Sequence, residues 1–221
     1  MNELDINYLS DQGSSALIFE PSELIEFKRA WQWQRQWQKK LLTNPSSPQA
    51  IWLLQHYECY TLGRSGSKEN LLFNAKKPPC DLFHIDRGGE VTHHLPGQLV
   101  AYLVLDLHRY QTDLNWYLRQ IEAVLLDVIS ELGLYGQKLD GLTGIWVNGF
   151  KVASVGISCK RWITQHGCAL NINCNLSGFD QIIPCGLKDH QVGRLDSWLP
   201  GLTTKDVQPL LKKAFIKRFA L

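Results

Sequence analysis

The chain has 221 residues, 44% hydrophobic and 20% charged, a size and balance that fit one substantial globular domain or two small lobes sharing a core and exclude a disordered tail, a fibre or a mini-protein. Its 23 basic and 21 acidic residues leave a formal charge of +2, and no dense Lys/Arg run offers the electrostatic footprint of a nucleic-acid binder. The longest apolar stretches, such as 99–105, fall far short of the roughly 20 residues needed to cross a bilayer.

Residues 1–20 carry acidic side chains where a secretory signal or mitochondrial presequence carries basic ones, so a cytoplasmic protein with free thiols at its six cysteines is expected. Pro21 and Ser22 open a helix over 22–42, with Leu24, Phe27, Trp31, Leu41 and Leu42 at helical spacing. Trp31 reads as core, and Trp33 and Trp37 as partly exposed. Strands follow at 50–55, 60–62, 82–85 and 98–106. A second helix starts at Asp113, a good N-cap, and stops at Gly133. Further strands cover 144–147, 150–157 and 167–172. Asn148-Gly149 between two apolar runs predicts a two-residue hairpin turn with both residues at positive φ. The mixture is α+β, and with no internal repeat or long linker it reads as a single domain spanning 1–221. Lys205, Lys212, Lys213, Lys217 and Arg218 near the end read as a solvated helix face, or as a docking surface for acidic proteins.

Four segments carry side chains capable of chemistry. Alternation after the hairpin places Lys151 on one face with Ala153, Val155 and Ile157, either as an amine among apolar neighbours where burial disfavours a charged form or, two residues from the turn, as a side chain that snorkels into water. Pro184-Cys185-Gly186 frames a thiol that becomes nucleophilic only beside a cation, a base or a helix N-terminus. Arg87-Gly88-Gly89-Glu90-Val91-Thr92-His93-His94, followed by Pro96-Gly97-Gln98, has the build of a ligand-facing loop, yet fits neither common phosphate-binding glycine pattern. In 166–173, Gly167, Ala169, Asn171 and Asn173 make a small polar face opposite Cys168, Leu170 and Ile172. The cysteine spacings include no CxxC, and no metal site is expected.

Taken in order, Tyr60-Thr61-Leu62-Gly63-Arg64, the loop 87–98, Lys151-Val152-Ala153-Ser154-Val155-Gly156 with His166-Gly167-Cys168-Ala169-Leu170-Asn171, and Ile183-Pro184-Cys185-Gly186 resemble one family, the lipoyl(octanoyl) transferases. The match covers about residues 50–187. It implies a biotin/lipoate protein ligase-like fold, a mixed β-sheet core flanked by helices. It also implies transfer of an octanoyl group from octanoyl-acyl carrier protein to a lysine of lipoyl domains, those of 2-oxo acid dehydrogenases and the glycine cleavage H protein, through a cysteine thioester. By the family's pattern Cys185 is the nucleophile, and Lys151 activates it and carries a proton. Arg87, Gly88, Gly89, Glu90, Val91, Thr92, His93, His94, Ser154, Val155, Gly156, Gly167, Cys168 and Ala169 match the segments that line the acyl pocket. No cofactor or metal is implied, and a monomer is expected. The chain departs from the family at His93, Leu95 and Cys168, which bears on acyl-length preference. Other readings are an ATP-dependent lipoate or octanoate ligase of the same fold, a non-catalytic acyl- or carrier-binding module, and a cysteine peptidase.

Overall fold

Strands β3 (Gln49–His56) and β7 (Gln98–Val104) are buried at almost every position because both of their faces are covered. The structure, a computed structural model, describes residues 16–183 and 191–221. Among the described residues three α-helices cover the sheet: α1 (Phe27–Thr43) on one face, and α2 (Leu114–Glu131) with α3 (Thr204–Phe219) on the other. Alternation sorts the side chains between them. Ile51, Leu53, Leu99, Ala101 and Leu103 pack with Ile121, Leu125, Leu211 and Phe215, while Trp52, Leu54, Val100, Tyr102 and Val104 share a second core with Phe27, Ala30 and Leu41.

The remaining strands are β1 (Ala16–Phe19), β2 (Leu24–Ile25), β4 (Cys59–Leu62), β5 (Asp81–His84), β6 (Val91–His94), β8 (Gly136–Gln137), β9 (Ile145–Val147), β10 (Phe150–Lys160) and β11 (Ile163–Asn171). Among the described residues the main sheet runs β1-β3-β7-β11-β10-β9-β8, with β2 beside β3, and a small sheet runs β5-β4-β6. This is the expected α+β architecture. β6, read from sequence as part of a loop, pairs antiparallel with β4 from Cys59↔His94 to Leu62↔Val91.

Local chemistry explains where elements begin. The first helix starts at Phe27 rather than at Ser22, because Leu24 and Ile25 instead pair parallel with β3. Its inner row is Phe27, Ala30, Gln34 and Leu41, so Trp31 is half-buried and not core. Gln34 replaces it inside because its Oε1 accepts the His166 backbone N–H at 2.7 Å. Asp113 caps α2 by accepting from the Asn115 and Trp116 amides, and Gly133 follows at φ +79. Asn148 and Gly149 take φ values of 49 and 85, the predicted turn. A second two-residue turn joins Lys160 to Ile163 through Arg161 (φ 48) and Trp162 (φ 62), which carry no turn signature, so β11 begins earlier than its sequence indicates.

Three of the five terminal basic residues pair with acidic groups within the chain: Lys212 with Glu20 at 2.5 Å, Arg218 with Asp127 at 2.7 Å and Lys213 with Glu131 at 3.0 Å. No helix among the described residues is long and apolar enough to cross a membrane.

Candidate active site

Strict alternation would put Lys151 on the α2–α3 side of the sheet, but β10 does not alternate strictly. Lys151 pairs with Trp146 and Ala153 with Ile145, so Val152 is an extra residue, a bulge. Val152 and Ala153 both enter the α2–α3 core. Lys151 is thereby turned to the opposite face with Trp146, the face that Ser154 and Gly156 also share. It is only 5% exposed, its Nζ lying 5.1 Å from the Trp146 ring centroid. A snorkelling surface lysine is excluded.

On that face a cleft of about 530 Å³, its open mouth included, lies between the main sheet and the small one. Arg87, Gly89, Glu90, Val91, Thr92 and His94 line it from the loop and β6, Ser154, Val155 and Gly156 from β10, and Gly167, Cys168 and Ala169 from β11. Cys168 also packs into the α2–α3 core. Gly88 and His93 are not among the lining residues. The Gly88 N–H is bound to the Ile157 carbonyl at 2.8 Å, and the His93 ring stacks on Tyr60 with centroids 4.5 Å apart, since alternation on β6 sends it away from His94. Lys151 lies on the same strand as the lining residues 154–156, three positions before Ser154, and is not itself among the residues that line the cleft. Cys185 lies outside the described residues.

Phe27, Ile85, Val100, Tyr102 and His166 also line the cleft; none of them is expected there from the sequence, where His166 stands only as part of a family motif. Val100 and Tyr102 were legible only as strand residues. His166 has φ +61, costly for a residue with a Cβ, and is held there by the Gln34 bond to its N–H and by its Nε2 donating to Asp86 at 3.2 Å. Burial lowers this imidazole below its ordinary value, and the hydrogen bond and charge of the half-exposed Asp86 carboxylate oppose that shift.

Buried polar links join the separate motifs. His94 Nδ1 donates to Gln98 Oε1 at 2.8 Å, and the Gln98 amide donates to the His93 carbonyl and to Asn171 Oδ1. Asn171 Nδ2 in turn donates to the Gly193 carbonyl at 3.0 Å, and the Gly193 N–H bonds the Lys151 carbonyl at 2.9 Å. Glu90 accepts from the Ser67 amide and from Asn70 Nδ2, while the Asn70 carbonyl accepts the Ile183 N–H at 2.8 Å. The loop, the strand carrying Asn171, the lysine strand and both flanks of residues 184–190 form one connected frame.

Electrostatics separates the thiols. Burial raises all five described cysteines: Cys80 to about 11, Cys168 and Cys174 to about 12, and Cys59 and Cys159 in the same direction. None is a ready nucleophile at neutral pH. Among the described residues no group of His, Cys, Asp and Glu is arranged to hold a metal ion.

Burial also holds His56 down at about 4, with Nδ1–H donating to the Ile25 carbonyl and Nε2 accepting from the cleft-lining Tyr102 hydroxyl. A folded-state value below the ordinary 6.5 means that the unfolded chain binds the proton first. Stability is therefore full above about 6.5 and falls as pH drops toward 4, by on the order of 3 kcal/mol from His56. Urea unfolding of His56→Gln between pH 7 and 4.5 is expected to show a stability slope about one proton shallower than wild type; an equal slope would contradict the assignment.

The chain matches the family model for the lipoyl protein ligase A/B catalytic domain over residues 27–216. It is 64% identical over 221 residues to a protein named octanoyltransferase from Prochlorococcus marinus, covering 100% of this chain and 99% of that one. It is 58% identical over 212 residues to an octanoyltransferase from Synechococcus sp. (strain CC9902), covering 96% and 93%. Among solved structures, the bi-partite lipoate protein ligase of Thermoplasma acidophilum superposes with a TM-score of 0.70 at 14% identity over 94% of this chain and 84% of that one. A lipoate-protein ligase A bound with ATP gives 0.66 at 15% identity, covering 79% and 74%, and both likenesses confirm the fold. With motifs, fold and relatives in agreement, the chain belongs to the lipoyl protein ligase A/B catalytic-domain family.

Proposed function

We propose that this chain is an acyltransferase that moves an octanoyl group from octanoyl-acyl carrier protein to a specific lysine of lipoyl domains, through a thioester on Cys185. The observation that carries the mechanism is the buried side chain of Lys151, turned to the face of β10 that carries Ser154 and Gly156; the Lys151 backbone N–H bonds the Gln191 carbonyl at 2.8 Å. Gln191 follows Cys185 by six residues in the sequence. The naming of close relatives as octanoyltransferases supports the acyl group and the reaction class.

The acyl chain lies along the cleft, past Val91, Val100, Gly156 and Ala169, with its carbonyl toward Lys151. The Cys185 thiolate attacks the donor thioester, the bond from the acyl carbon to the carrier sulfur breaks, and the carrier thiolate leaves and takes a proton. The acceptor lysine amine then attacks the enzyme thioester. An amide forms, the amine proton departs, and the Cys185 thiolate is regenerated. Lys151 stabilises the thiolate and relays the proton in both halves. Thioester exchange is nearly balanced and amide formation runs downhill, so no ATP is consumed. The whole chain works as one catalytic domain, a monomer in the cytoplasm.

The test is incubation with octanoyl-loaded carrier, with and without a lipoyl domain, read by intact and peptide mass spectrometry. One octanoyl group on the Cys185 peptide and, with acceptor, octanoyl-lysine on the lipoyl domain are expected. Product from free octanoate and ATP without carrier would establish a ligase instead. Binding without product would establish a carrier-binding module.

A further inference from the structure

We infer that Glu122 is a positioning residue for Lys151, acting through the backbone of Gly144; this rests on the role given to Lys151 above. Glu122 sits in the middle of α2 and is fully buried. A carboxylate in such a place is costly unless its oxygens are satisfied. One oxygen, Oε2, accepts from Arg119 at 2.5 Å, and the other, Oε1, accepts the Gly144 backbone N–H at 3.1 Å. The second bond reaches across the core to the start of β9, where the bulge in β10 interrupts regular pairing.

Gly144 has φ +135, and a Cβ there would lie 2.5 Å from the Ala153 carbonyl oxygen, 2.7 Å from Lys151 Cε and 3.3 Å from its Nζ. Its backbone is thus the wall against which the end of the lysine side chain rests, and only glycine leaves room for it. The Trp146 ring lies on another side of the amine, 5.1 Å from centroid to Nζ. A wall built on a positive-φ glycine, where pairing is irregular, needs a bond to fix its backbone. The Glu122 oxygen supplies one. Hydrophobic packing on α2 would fill the same space but would leave the Gly144 N–H buried and unpaired, letting the loop, and with it the amine, shift.

Two conservative variants separate reach from charge. Glu122→Asp keeps the carboxylate but draws it back by one methylene, whereas Glu122→Gln keeps an acceptor oxygen at full reach and loses the charge. In single-turnover acylation by octanoyl-carrier, Glu122→Asp is expected to lower the maximal rate about tenfold, with the donor concentration at half-maximal rate unchanged, as misplacement of a reacting group does. Glu122→Gln is expected to stay within about threefold of wild type. A wild-type maximal rate in Glu122→Asp, or a slow Glu122→Gln, overturns the inference. Lys151→Ala in the same assay tells the two claims apart: a full rate there removes the lysine's role, whereas a slow Lys151→Ala beside an unaffected Glu122→Asp leaves that role standing and refutes only the positioning by Glu122.

Discussion

Cys185→Ala is expected to abolish the covalent octanoyl adduct and to lower turnover by roughly four orders of magnitude or more, the scale on which covalent enzymes lose rate when the nucleophile is removed. The expectation is sharp because the alternatives on this chain are poor. A thiol held at about 12, as burial holds Cys168 and Cys174, is ionised in fewer than about one molecule in ten thousand near pH 7.5. Cys168 borders the cleft, and position alone would make it the natural competitor, but its side chain packs into the α2–α3 core. Cys80, at about 11, packs beside the small sheet's core and is absent from the residues lining the cleft. Cys168→Ser and Cys80→Ala are therefore expected to keep the adduct, and intact mass after exposure to octanoyl-carrier reads all three variants. An adduct that survives in Cys185→Ala would move the nucleophile elsewhere.

What the sequence disclosed and what it hid divide along a physical line. Short-range chemistry was legible. Asn148-Gly149 demands a tight turn, Asp113 can cap a helix, and the apolar runs at 50–55 and 98–106 read as strands. The motif residues were legible as a set because a known family uses them together. The links that join them were not. Gln98 to Asn171 spans 73 positions and Glu90 to Asn70 spans 20, and nothing in local spacing says that these amides and carboxylates meet. The bulge was hidden for a related reason. One inserted residue turns Lys151 to the other face of the sheet, and its only trace is the register against β9, which exists once the strands have paired. His93 shows the converse. It sits inside a motif segment, yet the pleat of β6, itself read as loop, turns it onto Tyr60 and Phe179.

Removing the Lys151 amine tests the consequence of that bulge. A free thiol with an ordinary value near 8.5 is only about 3% ionised at pH 7, and apolar surroundings lower that fraction further, the direction in which burial takes the five described cysteines. A cation placed beside the sulfur reverses the trend. Lys151→Ala, and Lys151→Met, which fills the buried volume without the charge, are expected to slow alkylation of Cys185 at pH 7 about tenfold. The midpoint of the rate-pH curve should move to higher pH, because without the cation more hydroxide is needed to reach the same thiolate fraction. Peptide-resolved iodoacetamide labelling measures this at Cys185 alone, and rates at the remaining cysteines serve as the internal standard. Since Lys151 is 5% exposed, the alanine variant leaves a cavity and the methionine variant does not. Equal slowing in both assigns the effect to the lost charge. Slowing in alanine only would assign it to collapse of the site, and an unmoved profile in both would leave the thiol to be activated by another group.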